Sequence, residues 1–287
     1  MPTVRNVIDE IKTGLKPVVD ENELNQYILL IFNYLRSYSR TNLLLKNNDT
    51  VSENELQFVR KAIGRLKKSE PIQYVLGQTE FLGLTFKVDV RVLIPRPETE
   101  ELVEWVLSEI PDKNITLLDI GTGSGCISVA IKKNSPLTEV HAWDVSADAL
   151  QVAQENAQSN HVSILFEKVD ILNCAAHNNA QFDVIISNPP YITTSEKTEI
   201  NSNVLDYEPH LALFVHNDSN PLLFYSAIAE FAMKTLHNGG KLFFEINQAF
   251  GNEVVQLLKA QGFDDVELRS DLSGRDRMVK AAKYLQK

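Results

Sequence analysis

Thr116-Leu117-Leu118-Asp119-Ile120-Gly121-Thr122-Gly123-Ser124-Gly125 is an apolar run that ends in a glycine-rich turn. A short apolar run bounded by turn residues predicts a buried strand, and the helical pattern from residue 125 to 134 predicts the helix that follows. Glycine is needed where backbone must turn tightly and approach a ligand closely. A helix start also presents N–H groups without partners. The dinucleotide fingerprint spaces its glycines as G-x-G-x-x-G. Here the third comes one residue early, a spacing suited to a nucleoside cofactor with no pyrophosphate to hold. Gly121, Thr122, Gly123, Ser124 and Gly125 are therefore candidate cofactor-binding residues, against the alternative of a strand-to-helix turn without a ligand.

Outward from this turn, strand and helix alternate. Strands are expected near 139–144, 162–169, 182–187 and 241–246, with two more near 264–269 and 276–283. Helices are expected near 147–159, 221–237 and 251–261. Such alternation implies an α/β fold, a largely parallel sheet covered by helices on both faces. Asp144 ends the second strand, where a carboxylate accepts the ribose hydroxyls of a nucleoside; the competing reading is a helix cap. Asp170, after the third strand, suits an adenine amino group or is a solvated loop carboxylate. Ile171 packs on the adenine face or belongs to the core.

Asn188-Pro189-Pro190-Tyr191 follows the fourth strand, Phe182 to Ser187. Ligands bind outside the carboxyl ends of strands in open α/β sheets. An amide or exocyclic NH₂ is planar and weakly nucleophilic, but its hydrogens are good donors. Asn188 supplies a side-chain carbonyl, and Pro189 a main-chain carbonyl stiffened by two consecutive prolines. Tyr191 suits stacking on a flat group. Asn188, Pro189 and Tyr191 are the candidate catalytic residues, and Asn188, Pro189, Pro190 and Tyr191 the candidate substrate contacts. The chemistry that fits is methyl transfer from a sulfonium donor, carried chiefly by positioning. It requires no metal.

The N-terminal region reads differently. Asp20 with Glu23, and Ser52 with Glu55, are helix-start signals ahead of apolar positions at helical spacing. Pro71 suits the first turn of a short helix ending near Gly77. Glu80 to Val92 reads as a hairpin linker. Pro97 opens a helix through Leu107. The expected domains are 1–78, a helical bundle; 79–95, the linker; and 96–287, the α/β domain. The net charge of −10 weighs against broad binding of nucleic acid. The first residues carry charges and lack the apolar core of a signal peptide. No apolar run is long enough to span a bilayer. Cys126 and Cys174 have no metal or redox spacing, and a cytoplasmic protein is expected.

With these residues in place, the chain resembles the PrmC/HemK family of protein-(glutamine-N5) methyltransferases. The resemblance includes Pro71-Ile72-Gln73-Tyr74 with Gly77, Phe81-Leu82-Gly83, and Leu93-Ile94-Pro95-Arg96-Pro97-Glu98-Thr99-Glu100. It continues through the glycine-rich turn, Asp144-Val145-Ser146, Ser187 to Ile192, Glu208-Pro209 and Asp271-Leu272 with Asp276-Arg277. It implies an N-terminal helical bundle, a β-hairpin linker and a seven-stranded Rossmann-like methyltransferase domain. It implies S-adenosyl-L-methionine as methyl donor, leaving S-adenosyl-L-homocysteine, with Gly121 to Gly125, Asp144, Ile171 and Asn188 around it. The implied substrate is the glutamine of the Gly-Gly-Gln motif in class-1 peptide chain release factors, held by Asn188, Pro189, Pro190 and Tyr191. A monomer without a stable nucleic-acid partner is expected.

The chain departs from the family pattern at Asn247, where relatives often carry glycine after Glu245-Ile246; this region is expected to lie peripheral to the chemistry. Arg96 and Glu98 either border the pocket or pair with other charges to fix the linker. Arg60, Lys61, Arg65, Lys67 and Lys68 form a solvated helix face or meet a partner. Two other functions fit parts of the pattern. An adenine-N6 methyltransferase acting on DNA or RNA uses the same turn, but needs a basic groove and a flipped base. A non-catalytic cofactor-binding partner of the translation machinery would not need the intact Asn188–Tyr191 turn.

Overall fold

The computed structural model describes residues 1–174, 181–199, 201–215 and 220–284. It divides into two compact units. One comprises Met1–Gln78 with Asn201–Tyr207; the other comprises Thr79–Ile200 with Glu208–Lys287.

The first unit holds helices α1 (Val4–Leu15), α2 (Glu21–Arg36), α3 (Arg40–Leu45), α4 (Glu53–Leu66) and α5 (Ile72–Leu76). Their starts follow the sequence signals. Asp20 caps α2 by accepting from Glu23 N, and Ser52 with Glu55 forms a reciprocal capping box at α4. The buried stripes Val7, Ile11 and Leu15 of α1 and Leu56, Val59 and Ile63 of α4 meet in one apolar core. Arg36 pairs with Glu55 across α2 and α4 (2.6 Å) and also reaches the Thr50 carbonyl (2.8 Å). Two members of the basic cluster are engaged within the unit: Arg60 pairs with Glu10, and Arg65 pairs with Glu70 and donates to the carbonyls of Tyr74 and Val75. Helix α9 (Ser202–Tyr207) belongs to this unit, where the Tyr207 hydroxyl donates to the Lys68 carbonyl (2.8 Å).

The second unit begins with a hairpin of β1 (Gln78–Phe81) and β2 (Leu84–Lys87). Its two-residue turn, Leu82-Gly83, has positive φ at both positions, the twist that joins antiparallel strands tightly. Helix α6 (Pro97–Glu109) follows, with Pro97 in its first turn. Then come β3 (Thr116–Ile120), α7 (Cys126–Asn134), β4 (Glu139–Asp144), α8 (Ala147–Ser159), β5 (Leu165–Lys168) and β6 (Phe182–Ser187). The chain continues through α10 (His210–Leu213), α11 (Leu223–Thr235), β7 (Leu236–Glu245), α12 (Gly251–Ala260), β8 (Asp264–Ser270) and β9 (Asp276–Ala282).

Seven strands form one sheet in the order β5-β4-β3-β6-β7-β9-β8. β3 to β7 are mutually parallel, and β9 runs antiparallel to both β7 and β8. Alternate strand residues feed two cores. Leu118, Ile120, Ile185, Leu242 and Phe244 pack with α11 and α12, whereas Leu117, Val184, Ile186 and Phe243 pack with α6 and α7. Both faces are covered, as a parallel sheet requires. The strand order reverses between β3 and β6, which are neighbours, so the turns that follow them open onto one crevice. Among the described residues no helix is long and apolar enough to cross a membrane.

Candidate active site

The glycine-rich turn is bolted to the end of β4. Gly121 N and Thr122 N both donate to the Trp143 carbonyl, at 2.8 and 2.9 Å. Gly123 N donates to Asp144 Oδ2 (2.9 Å), and Ser146 N donates to Asp144 Oδ1 (2.8 Å). The cap of α8 is Ser146, which accepts from Ala149 N, not Asp144. Each Asp144 oxygen therefore keeps a lone pair for a ligand hydroxyl. Burial raises the Asp144 carboxyl above its ordinary value, and backbone hydrogen bonds oppose that rise.

These groups line a cavity of about 160 Å³. Gly121, Gly123 and Asp144 form one part of its wall; Asp170 and Ile171 form another; Asn188, Pro189 and Pro190 form a third. Val145, Leu211, Phe224 and Ile228 are among the apolar residues that line the rest of it, and Arg91 also lines it. Leu211, Phe224 and Ile228 carry no sequence signal apart from hydrophobicity, because they reach the wall from helices that follow the Asn188–Tyr191 turn. Asp170 accepts from Leu172 N and from the Asn173 side chain, starting the short 3-10 turn Ile171–Asn173.

Three of the cofactor candidates do other work. Thr122 is buried and donates to Asp119 Oδ2 (2.7 Å), and Ser124 is buried with its carbonyl accepting from Asn156 Nδ2 (2.8 Å). Gly125 starts α7 with a left-handed backbone against Ala153 of α8. None of these three lines the cavity. Asp119 is fully buried, and its Oδ1 has no hydrogen-bond partner among the described residues. Burial, with the nearby Asp144 carboxylate adding to it, pushes the Asp119 carboxyl up to about 7.

The Asn188–Tyr191 turn is braced from beneath. Asn188 Nδ2 donates to Thr99 Oγ1 (3.3 Å), and Thr99 Oγ1 donates to Glu245 Oε2 (2.6 Å). The Tyr191 hydroxyl donates to Glu245 Oε1 (3.3 Å). Asn247 Nδ2 donates to the Tyr191 carbonyl (3.3 Å) and to Glu196 (2.9 Å). The expectation that Glu245 to Asn247 lies at the periphery is therefore corrected. The end of β7 abuts the end of β6, and this register places those side chains directly under the turn. Tyr191 does not line the cavity, and burial together with the Glu245 carboxylate raises its phenol above the ordinary value. Arg96 donates to Glu208 (2.5 Å), whose other oxygen accepts from Ile94 N (3.1 Å), so of its two expected roles it takes the linker-fixing one.

A family model described as the PrmC N-terminal domain matches residues 11–77, and one described as the methyltransferase small domain matches residues 99–207. The chain is 44% identical to a release factor glutamine methyltransferase of Flavobacterium psychrophilum, over 96% of this chain and 98% of that one. It is 41% identical to the protein of the same name in Bacteroides thetaiotaomicron, over 94% and 97%. The chain belongs to the release factor glutamine methyltransferase family. Its sheet and helices also match a solved methyltransferase from Pyrococcus furiosus with a TM-score of 0.53 and 18% identity, over 77% of this chain and 98% of that one. That likeness concerns the fold. The seven-stranded methyltransferase architecture and the helical N-terminal region expected from the sequence are both present.

Proposed function

We propose that this protein transfers a methyl group from S-adenosyl-L-methionine to the side-chain amide nitrogen of the glutamine in the Gly-Gly-Gln motif of class-1 peptide chain release factors. The near-full-length match to relatives named for that reaction carries the reading. The cavity supports the donor. Asp144 offers lone pairs where ribose hydroxyls suit them, and Gly121 presents bare backbone to the cavity. Asp170 and Ile171 suit the adenine edge and face. Thr122, Ser124 and Gly125 hold the turn in shape, a role one step removed from direct contact.

When bound, the donor supplies a methyl group already activated on a sulfonium. The protein's part is positioning. Asn188 Oδ1 and the Pro189 carbonyl accept the two hydrogens of the substrate amide. That orientation turns the nitrogen lone pair toward the methyl and favours the positive charge developing on nitrogen, which gives up one of its two protons to water as the neutral thioether product is left. Pro189 and Pro190 fix the carbonyl's direction through their locked φ. Tyr191 braces the turn from outside the cavity, through its hydroxyl on Glu245. The helical unit recognises the release factor. The enzyme acts in the cytoplasm as a monomer; the net charge of −10 supports the absence of a stable nucleic-acid partner.

The deciding experiment supplies labelled S-adenosyl-L-methionine with an unmodified class-1 release factor, its Gly-Gly-Gln→Gly-Gly-Ala form, and DNA. Label on the wild-type factor alone is expected. Label on DNA, or equal label on the two factors, refutes the reading. Asn188→Ala is expected to abolish most turnover while cofactor affinity changes far less, and turnover at the wild-type level in that variant removes Asn188 from the chemistry.

A further inference from the structure

The segment Leu93 to Glu100 is one of the stretches that carry the family resemblance, yet none of its side chains takes part in the proposed methyl transfer. The structure shows where they go. Arg96 engages Glu208, Glu100 accepts from Leu82 N (2.8 Å), and Thr99 stands between Asn188 and Glu245. Thr99 and Glu245 are both buried, 2% and 1% exposed, so water does not compete for these bonds.

The order of donors and acceptors along this chain is dictated by chemistry. An ionised carboxylate only accepts. Thr99 has one hydroxyl hydrogen, and at 2.6 Å it is committed to Glu245 Oε2. The Thr99 oxygen is left to accept, so the Asn188 edge facing it has to be the NH₂. The carbonyl Oδ1 then occupies the opposite edge of a side chain that lines the cavity, and it takes no hydrogen bond from the described residues. On its other side Glu245 takes the Tyr191 hydroxyl hydrogen. Burial raises the Glu245 carboxyl above its ordinary value; the hydrogen bonds from Thr99 and Tyr191 and the nearby charge of Arg277, itself paired with Asp271, oppose that rise and favour the carboxylate.

We infer that Thr99 and Glu245 are positioning residues: a one-way hydrogen-bond chain, Asn188 to Thr99 to Glu245, locks the Asn188 amide with its carbonyl toward the reacting nitrogen. The chain makes a distinction that an asparagine in a turn does not make alone. The two edges of an amide have nearly the same shape, and only a fixed neighbour separates donor from acceptor. A flipped Asn188 would meet the substrate NH₂ with an NH₂ of its own. This inference rests on Asn188 being the residue that accepts from the substrate amide.

The test uses the full chain with Thr99→Val, Thr99→Ser, Glu245→Gln and Asn188→Ala. Thr99→Val keeps the shape and removes the hydroxyl. It is expected to lower kcat about ten- to a hundredfold, the usual scale for a misplaced catalytic group, with cofactor affinity by calorimetry unchanged. Thr99→Ser restores most of that loss. Glu245→Gln is nearly isosteric but offers an NH₂. Facing Thr99, that NH₂ reverses the chain and turns Asn188 over, so kcat falls at least as far as in Thr99→Val. Wild-type kcat in folded Thr99→Val beside an inactive Asn188→Ala overturns the inference, as does equal loss in Thr99→Ser and Thr99→Val. A readout independent of turnover is hydrogen exchange of the Asn188 side-chain NH₂ by NMR. Slow exchange in wild type and Thr99→Ser, and fast exchange in Thr99→Val, supports the lock; equal exchange in all three overturns it. If Asn188→Ala turns over normally, the catalytic reading of Asn188 fails, and the exchange data still decide whether the lock exists.

Discussion

Two alanine substitutions in the glycine-rich turn separate backbone strain from steric contact and from ligand contact. Gly121 and Gly125 have φ of 76° and 79°, in the left-handed region that penalises any Cβ. That strain costs about 1.5 kcal/mol at each position. Beyond it the sites differ. A Cβ at Gly121 meets no atom within 4 Å, on a residue that lines the cavity. A Cβ at Gly125 lies 3.0 Å from Ala153 Cβ and 3.2 Å from Ala153 Cα. Helix α8 has little room to retreat, because Val152 and Ala153 are fully buried. Overpacking of this kind adds about 1.5 kcal/mol, so Gly125→Ala costs about 3 kcal/mol. At about 3 °C per kcal/mol for a domain of this size, Tm falls about 5 °C in Gly121→Ala and about 9 °C in Gly125→Ala. Cofactor affinity follows the opposite order. The Gly121 methyl occupies cavity space and is expected to weaken S-adenosyl-L-methionine binding at least about tenfold, or 1.4 kcal/mol. The methyl at Gly125 is spent against α8. Differential scanning calorimetry and titration calorimetry on both variants give the comparison. Equal Tm losses, or wild-type cofactor affinity in Gly121→Ala, refute the reasoning.

Asp144→Ala removes two acceptors from the cavity and is expected to weaken cofactor binding about tenfold or more; unchanged affinity by calorimetry removes Asp144 from the ribose role. Asp119 titrates near 7 when folded and near the ordinary 3.8 when unfolded, so the native state holds a proton that the unfolded state has lost. Its contribution to stability is present at low pH and is lost as pH rises from about 4 through about 7. A donor with a net positive charge lowers that pKa, so cofactor binding is expected to release protons and to tighten as pH rises from 6 toward 7. Asp119→Asn flattens this dependence, and the same slope in both proteins refutes the assignment. Glu55, whose hydrogen bonds from Arg36 lower it to about 2, contributes stability that is complete above the ordinary value of 4.5 and is lost as pH falls through about 2. Glu55→Gln is expected to flatten the acid limb of the helical unit's unfolding curve, followed by circular dichroism.

The parts legible in the sequence are those fixed by neighbours a few residues away. The glycine-rich turn, the Asn188–Tyr191 turn and the helix starts at Asp20 and Ser52 depend on local hydrogen bonds and permitted φ. Their identity and place follow from spacing alone. Buried strands β3 and β6 follow for the same reason, as unbroken apolar runs. The bonds that align Asn188 are absent from any such pattern, because Thr99 and Glu245 are 146 positions apart. Only the adjacency of β6 and β7, with α6 delivering Thr99 above them, brings them together. Helix α3 was also illegible, since Arg40–Leu45 buries no residue and leaves no periodic stripe. The strand expected over 162–169 is shorter, Leu165–Lys168, because its alternating residues face an exposed sheet edge where little apolar burial rewards extension. β7 starts earlier than expected, at Leu236, because the turn-forming pair Gly239-Gly240 is absorbed into an irregular stretch of pairing with β6.

The grouping of Asn201–Tyr207 with the helices has a consequence for modularity. The peptide chain passes between the two units three times, not once, so the helical unit is not a cassette attached at the N-terminus. A graft that exchanges residues 1–78 between relatives would leave the host's own Tyr207 seeking a carbonyl supplied by a foreign Lys68 position. Recombination within this family therefore moves both pieces together, or keeps a tyrosine at position 207 and the backbone path that sets the residue 68 carbonyl beneath it.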